Sequence, residues 1–337
     1  MSELAVALFQ SIVPIFVLVM FGLALRRLGA IGEKGNDMVS RAVIYFFFPI
    51  LVFHRLALTE EPSTLLSDWL IHVWAVIILI GSGLIGLFWH KLTHSNADRR
   101  MFVFMVGMPN WIYLPLALAG PLWGDEAVRL IILFNIPTQI LLWTVGIWLL
   151  HGTLRGMHVL KYIFLNPGFI STAAGLAVAF ELIPMTFQPD GKGLSLVNIS
   201  PVLHMIGGLT IPLSLVALGL YLGERGNQNP GAWRDIGLVT IGRIFIAPII
   251  LGASILFSVE IGLSMSSMLR WVLYLIVAMP VAVSAPMFAQ MFGRDRHLAS
   301  RGVVISSMIS FASAPLFVIL FLKLEVWLGL ADGGFIP

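Results

Sequence analysis

The run MFVFMVGMPNWIYLPLALAGPLWG, residues 101–124, contains no Asp, Glu, Lys or Arg, yet it carries prolines at 109, 115 and 121. At ~1.5 Å of rise per residue it is long enough to cross a hydrocarbon core of ~30 Å as a helix. A proline inside a helix removes one backbone N–H and clashes with the carbonyl four residues back. The stretch therefore reads as a membrane span broken in its middle. Lipid offers no water to satisfy the freed backbone groups, so such a break persists only against protein or a wet cavity.

The same reading extends outward. Charge-free runs also cover 4–25, 69–90, 130–154, 162–180, 193–223, 271–293 and 302–322. Of the 337 residues, 58% are apolar and 11% are charged, against about 25% charged in a soluble domain. This excludes a soluble enzyme, a nucleic-acid binder and a disordered adaptor. The first apolar run is preceded by Glu3 rather than a basic segment and is too long for a cleavable leader, so it reads as a span. The absence of cysteine excludes disulfides, thiolate metal sites and cysteine nucleophiles.

Ten spans follow, near 4–26, 38–57, 67–90, 99–121, 127–151, 162–183, 198–223, 236–258, 270–292 and 300–324. With the amino terminus outside, the inner loops hold Arg26, Arg27, Lys34, Arg41, Lys91, Arg99, Arg100, Arg155, Lys161, Arg225, Arg234, Arg294, Arg296 and Arg301. The outer segments hold only Arg55, Arg129, Lys192, Arg270 and Lys323. The positive-inside rule therefore puts both termini outside a cell (inner) membrane. The expected fold is an all-α polytopic membrane protein of ten transmembrane helices.

Five spans in each half place the halves in opposite orientation, the inverted repeat of many secondary transporters. Residues 1–155 would form the first repeat and 156–337 the second. Prolines support the match: Pro49 with Pro212, Pro137 with Pro315, and the pair Pro109/Pro115 with Pro280/Pro286. Placement of the last pairs in the fourth span of each half carries more weight than their spacing, since the chain has 18 prolines. Spans one and six, and three and eight, show no such match.

Breaks at Pro109, Pro115, Pro280 and Pro286 would create half-helices whose free N–H groups and positive ends face an anion near the midplane. Asn110, Trp111, Tyr113, Ser284 and Gln290 lie on or beside them, and Asn110 is the favoured substrate contact. Asn135 and Gln139 flank Pro137; interhelical hydrogen bonding is the plainer reading for both, with Gln139 also a candidate substrate contact. Arg243 is the one cation well inside a span. It either snorkels to the cytoplasmic surface or attracts anions at the inner vestibule. His54 and His204 read as structural. No Asp or Glu lies near the middle of a span, so neither a carboxylate proton relay nor a sodium cage has a candidate. No cofactor and no metal site is expected.

With RAVIYFFFPILVF at 41–53, the segment from Asn110 to Gly124-Asp125-Glu126, FNIPTQILLWTVG at 134–146, Asn166-Pro167, IPLSLVALGLYL at 211–222 and MPVAVSAPMFAQMFG at 279–293, the sequence resembles the auxin efflux carrier family, in particular its bacterial malonate or malate permease-like members. The resemblance runs over essentially the whole chain. It implies two inverted five-helix repeats, a scaffold and a transport domain each drawn from both repeats, and crossing proline-broken helices four and nine. It also implies a substrate site between Asn110–Pro115 and Pro280–Pro286, with a carboxylate held by Asn110. The family commonly has Gly five and Pro seven residues after that Asn; here Pro115 and Ala117 stand there. A shifted break, and a pocket narrowed by Trp111 and Tyr113, are expected.

The expected function is secondary transport of a small organic anion, a malonate- or malate-like carboxylate or an auxin-like acid, by alternating access of elevator or rocking type. A sodium-coupled symporter of the bile-acid-transporter type, a channel, an intramembrane enzyme and a sensor are the rivals. The expected partners are the bilayer, the anion and a second copy of the chain in a homodimer, with no nucleic acid.

Overall fold

A computed structural model describes residues 2–59, 68–151, 165, 167–186, 194–223 and 230–330, without the side chains of 2–12 and 230–232. The loops that hold Arg155, Lys161, Lys192 and Arg225, the boundary between the two expected repeats, and Asn166 lie outside the described residues.

The described residues are almost entirely helical: α1 Ser2–Arg27, α2 Glu33–Ala57, α3 Trp69–Thr93, α4 Arg99–Gly107, α5 Tyr113–His151, α6 Pro167–Ala179, α7 Ser200–Leu222, α8 Trp233–Glu260, α9 Ser267–Val277, α10 Ala285–Met291 and α11 Arg296–Trp327. Among them α2, α3, α5, α7, α8 and α11 are long and apolar enough to cross a membrane, while α6 and α9 are shorter apolar helices. A two-residue parallel ladder joins Met185–Thr186 to Leu194–Ser195.

Local chemistry explains several boundaries. Asp98, Ser266 and Asp295 each accept a backbone N–H at the start of α4, α9 and α11, the donors being Arg100, Leu269 and Leu298. Wide π turns at Val43–Phe47 and Gly242–Ile246 end two residues before Pro49 and Pro248. A π turn lets a helix run on past the bond that proline forfeits. A third sits at Leu142–Gly146 in α5.

The fourth expected span differs from one helix over 99–121. It is α4, an unwound segment at 108–112, and the first turns of α5. The chain then reverses at a single residue, Gly124 (φ 73°, ψ −160°), a conformation open to glycine alone at low cost. The expected loop before span five shrinks to that kink. The ninth span is likewise α9, an unwound segment at 278–284, and α10.

Packing brings together helices far apart in sequence. α1 crosses α7 where both backbones lack a side chain: a Cβ on Gly22 would stand 2.2 Å from the Val216 carbonyl oxygen, and one on Gly219 2.0 Å from that of Val19. Gly175 of α6 meets Phe53 and Leu56 of α2, and Gly207 of α7 meets Leu51 of α2. Small residues permit such approach where lipid supplies no hydrophobic drive. Elsewhere α3 packs on α4 and α5, and α11 on α8, α9 and α10. The half-helices α4 and α9 are buried on all sides from Met101 to Gly107 and from Leu269 to Val277, so the two breaks lie at the centre of the bundle.

Arg270, assigned above to an outer segment, is instead buried in the first turn of α9. Its Nε donates to Glu325 Oε1 at 2.7 Å and its Nη2 to Oε2 at 3.2 Å, while Tyr274 donates to Oε1 at 2.8 Å. Glu325 is 0% exposed. Breaking a buried pair on one side leaves an uncompensated charge, worth about 3–5 kcal/mol, whereas an exposed pair contributes about 0–1 kcal/mol. Glu325→Ala should therefore lower the melting temperature of the purified protein strongly. Asp125→Ala, which removes the exposed partner of Arg55, should leave it nearly unchanged. Equal melting temperatures for the two variants would show that the pair does not secure α9 to α11.

Candidate functional site

The unwound segments meet. Pro109 and Val281 form an antiparallel bridge, in which Asn110 N donates to the Pro280 carbonyl at 2.7 Å and Ala282 N to that of Met108 at 3.0 Å. Val281 N donates to Ser306 Oγ of α11 at 3.3 Å. The first proline of each pair lies in the unwound stretch. The second does not: Pro115 and Pro286 fall in the first turns of α5 and α10, where a missing N–H costs nothing and a fixed φ favours the helix. Pro115 and Pro286 thus start helices rather than break them.

On one side of this bridge lies a cavity of about 40 Å³, lined by Asn110, Trp111, Tyr113, Gln139, Trp143 and Ser284 together with Ile44, Phe48, Gly168 and Phe288. It offers room for a few waters in this conformation. Its walls come from the crossing, from α5, and from α2 and α6. Asn110 is 2% exposed. Its Oδ1 accepts the Tyr113 backbone N–H at 3.2 Å, capping the start of α5, which fixes Nδ2 as the other end of the amide. That Nδ2 is buried with no hydrogen-bond partner among the described residues. Leaving such a donor unmet costs about 1–3 kcal/mol.

A chain of amides and indoles holds the aromatic wall. Trp111 Nε1 donates to Asn135 Oδ1 at 3.0 Å, Gln139 Nε2 to the same oxygen at 3.1 Å, and Trp143 Nε1 to Gln139 Oε1 at 3.1 Å. Asn135, Gln139 and Trp143 are spaced by four along α5 and so share one face. Asn135 acts here as a structural partner, and Gln139 does both jobs, lining the cavity while bonding within the chain. Trp143 was missed by sequence reasoning; its i+4 spacing from Gln139 was the available signal.

Five expected site residues do not line this cavity: Pro280 serves in the bridge, Pro115 and Pro286 start helices, and Gln290 and Arg243 lie elsewhere. Gln290 is exposed at the end of α10 and accepts from Arg296 Nη1 at 3.2 Å, next to the ion pairs of Arg296 with Glu33 and Asp37. Gln290 stands six positions beyond Ser284, about 9 Å along the axis at ~1.5 Å per residue, which carries it away from the crossing. Arg243 neither snorkels nor faces a vestibule. It is 0% exposed and lies behind the bridge. Its Nε donates to the Met279 carbonyl at 3.0 Å, Nη1 to Ser82 Oγ and the Val106 carbonyl at 3.1 Å each, and Nη2 to the Val277 carbonyl. His54 is structural, with Nε2 2.9 Å from Ser200 Oγ and its ring beside His204. A larger cavity of about 410 Å³ lies between α3, α4 and α5, with mostly apolar walls that include Arg99 and Arg100 at one end and Gly107 and Met108 at the other.

Long apolar helices interrupted at a central, buried contact, with a cavity against it, define a membrane transporter. The model of the membrane transport protein family matches residues 7–318, and the chain belongs to that family, the family of the auxin efflux carriers. Relatives include an uncharacterized transporter of Methanothermobacter thermautotrophicus, 25% identical over 313 residues (91% of this chain and 96% of that protein). Another is a provisionally named malonate transporter of Rhizobium meliloti, 21% identical over 314 residues (90% of this chain and 92% of that protein).

Trp143→Phe keeps the ring and removes the indole N–H, leaving Gln139 Oε1 buried without that donor. The unmet acceptor should destabilise the protein by about 1–3 kcal/mol, read as a lowered melting temperature in detergent. The double variant Trp143→Phe/Gln139→Leu, which removes both partners, should recover part of the loss. No recovery would mean that the indole serves by packing alone.

Proposed function

We propose that the protein is a secondary transporter that carries a small organic anion through the cavity at Asn110. The observation that carries this reading is the buried, unpartnered Nδ2 of Asn110 in that cavity, beside the positive end of α5. A carboxylate accepts from an amide without a fixed charge having to be buried beside it. The name of the Rhizobium meliloti relative agrees with a carboxylate substrate.

The same reading includes ten spans in two inverted five-helix repeats, 1–155 and 156–337, both termini outside the cell membrane, and helices four and nine crossing at their breaks. Spans one, two, six and seven, joined at their glycine contacts, would form a scaffold, and the other six a transport domain. The cavity takes walls from both groups, as alternating access by elevator or rocking motion requires.

Within the anion class the lining discriminates. Trp111, Tyr113, Trp143, Phe48 and Phe288 give it a mostly apolar wall rich in aromatic rings, and among the described residues no Lys, Arg or His lines it. That favours one carboxylate on an apolar body over two carboxylates. Malonate and an aryl-substituted acetate, compared by thermal shift and then by counterflow, separate the two forms. Asn110→Ala should weaken binding of the preferred acid by about 1–3 kcal/mol, the loss of a hydrogen bond to a charged group, while folding survives. A variant that binds and transports as the wild type does would remove Asn110 from the site.

Uptake into proteoliposomes should proceed unchanged when sodium is replaced by choline at constant potential. Among the described residues no carboxylate lines the cavity, and the Val106, Val277 and Met279 carbonyls at the α4 and α9 ends already accept from Arg243. A loss of about tenfold or more, an ordinary coupling free energy, would reveal a sodium site and support the bile-acid-type symporter instead.

A further inference from the structure

Breaking two helices in lipid leaves two sets of carbonyls at the C-terminal ends of α4 and α9. Each such end carries roughly −0.5 of an elementary charge, so the two together amount to about one negative charge, without any carboxylate. Four oxygens from three elements converge there: Ser82 Oγ of α3, the Val106 carbonyl of α4, the Val277 carbonyl of α9 and the Met279 carbonyl just beyond it. All four accept from the single guanidinium of Arg243. None of its acceptors is an acid. Intramembrane cations normally pair with an acid or face water, and this one does neither. Its counter-charge is the backbone itself. A converging set of carbonyl and hydroxyl oxygens is also the donor set that a hard metal cation takes.

We propose that Arg243 is a tethered cation holding a position that a coupling metal ion could occupy, and that its removal leaves an oxygen-lined site for sodium. The carrier then keeps its positive charge covalently and needs no ion from solution to join its broken helices. Only the word coupling rests on the transport reading; the cation position follows from the crossing and is tested without substrate.

The experiment compares melting temperatures of the purified wild type, Arg243→Ala and Arg243→Lys in sodium chloride and in choline chloride at equal ionic strength. The wild type and Arg243→Lys should melt alike in the two salts, since each carries its own cation. Arg243→Ala should melt lower in choline and recover by about 5 °C or more in sodium, as expected for an ion that binds only the folded state. Equal destabilisation of Arg243→Ala in both salts overturns the proposal and leaves Arg243 as a cross-link. If Arg243→Ala yields folded protein only in sodium, the proposal stands. If it folds in neither salt, sodium does not take the place of the guanidinium and the proposal is likewise overturned, with Arg243→Lys then telling a need for charge from a need for the guanidinium fork. A wild type that binds no carboxylate would remove the transport reading and leave these melting temperatures unaffected.

Discussion

Everything at the centre of this protein depends on satisfying backbone groups that two broken helices leave in a dry environment. A continuous span bonds its own N–H and C=O groups; a span broken at 108–112 or 278–284 cannot. The bonds that replace the lost ladder are all internal. Asn110 and Ala282 donate across the bridge to Pro280 and Met108, Ser306 accepts from Val281, and Asn110 Oδ1 receives the first N–H of α5. The carbonyls of Val106, Val277 and Met279 receive Arg243. Each segment is thus the other's partner, and neither break would be tolerable alone.

This exchange makes the crossing electrically two-sided. The negative ends of α4 and α9 are met by one guanidinium and sealed from solvent. On the cavity side lie the positive end of α5 and an amide donor with nothing to donate to. An anion, the ligand proposed above, would complete the arrangement by accepting from that donor beside the positive end of α5. The same logic explains why the centre contains no Asp or Glu: with the helix ends already neutralised, a carboxylate there would need a further partner.

Much of the fold was legible in the sequence because composition and proline are local signals. Charge-free runs marked an all-helical membrane protein with several apolar helices, and Pro109 and Pro280 lie in its two unwound segments. What stayed hidden depends on contacts across the fold. The acceptors of Arg243 lie 34, 36, 137 and 161 positions away, so its sequence neighbourhood could suggest only snorkelling or a vestibule. Ser82 is a small residue between Gly81 and Gly83 in an otherwise apolar helix, and nothing local marks it as a ligand. Arg270 reads as a loop cation until α11 brings Glu325 to it. Gln290 was misplaced because helix length after a break cannot be read from hydropathy. For the candidate site, the polar residues near the prolines were visible, whereas the aromatic wall and the α2 and α6 contributions were not.

The glycine contacts suggest why one set of helices would stay fixed while another moves. Where Gly22 meets Gly219, a single added methyl would collide with a carbonyl on the neighbouring helix, so α1 and α7 touch backbone to backbone. Sliding there would require both backbones to shift. The wall of the cavity formed by Ile44, Phe48 and Gly168 belongs to α2 and α6, which join that set through Gly175 and Gly207. The opposite wall is built from side chains of the crossing and α5. A surface of side chains against side chains has alternative packings, whereas a surface of backbone against backbone has few. The cavity lies on the boundary between the two kinds of contact, where the alternating-access motion proposed above would act without disturbing the hydrogen bonds that keep the broken helices together.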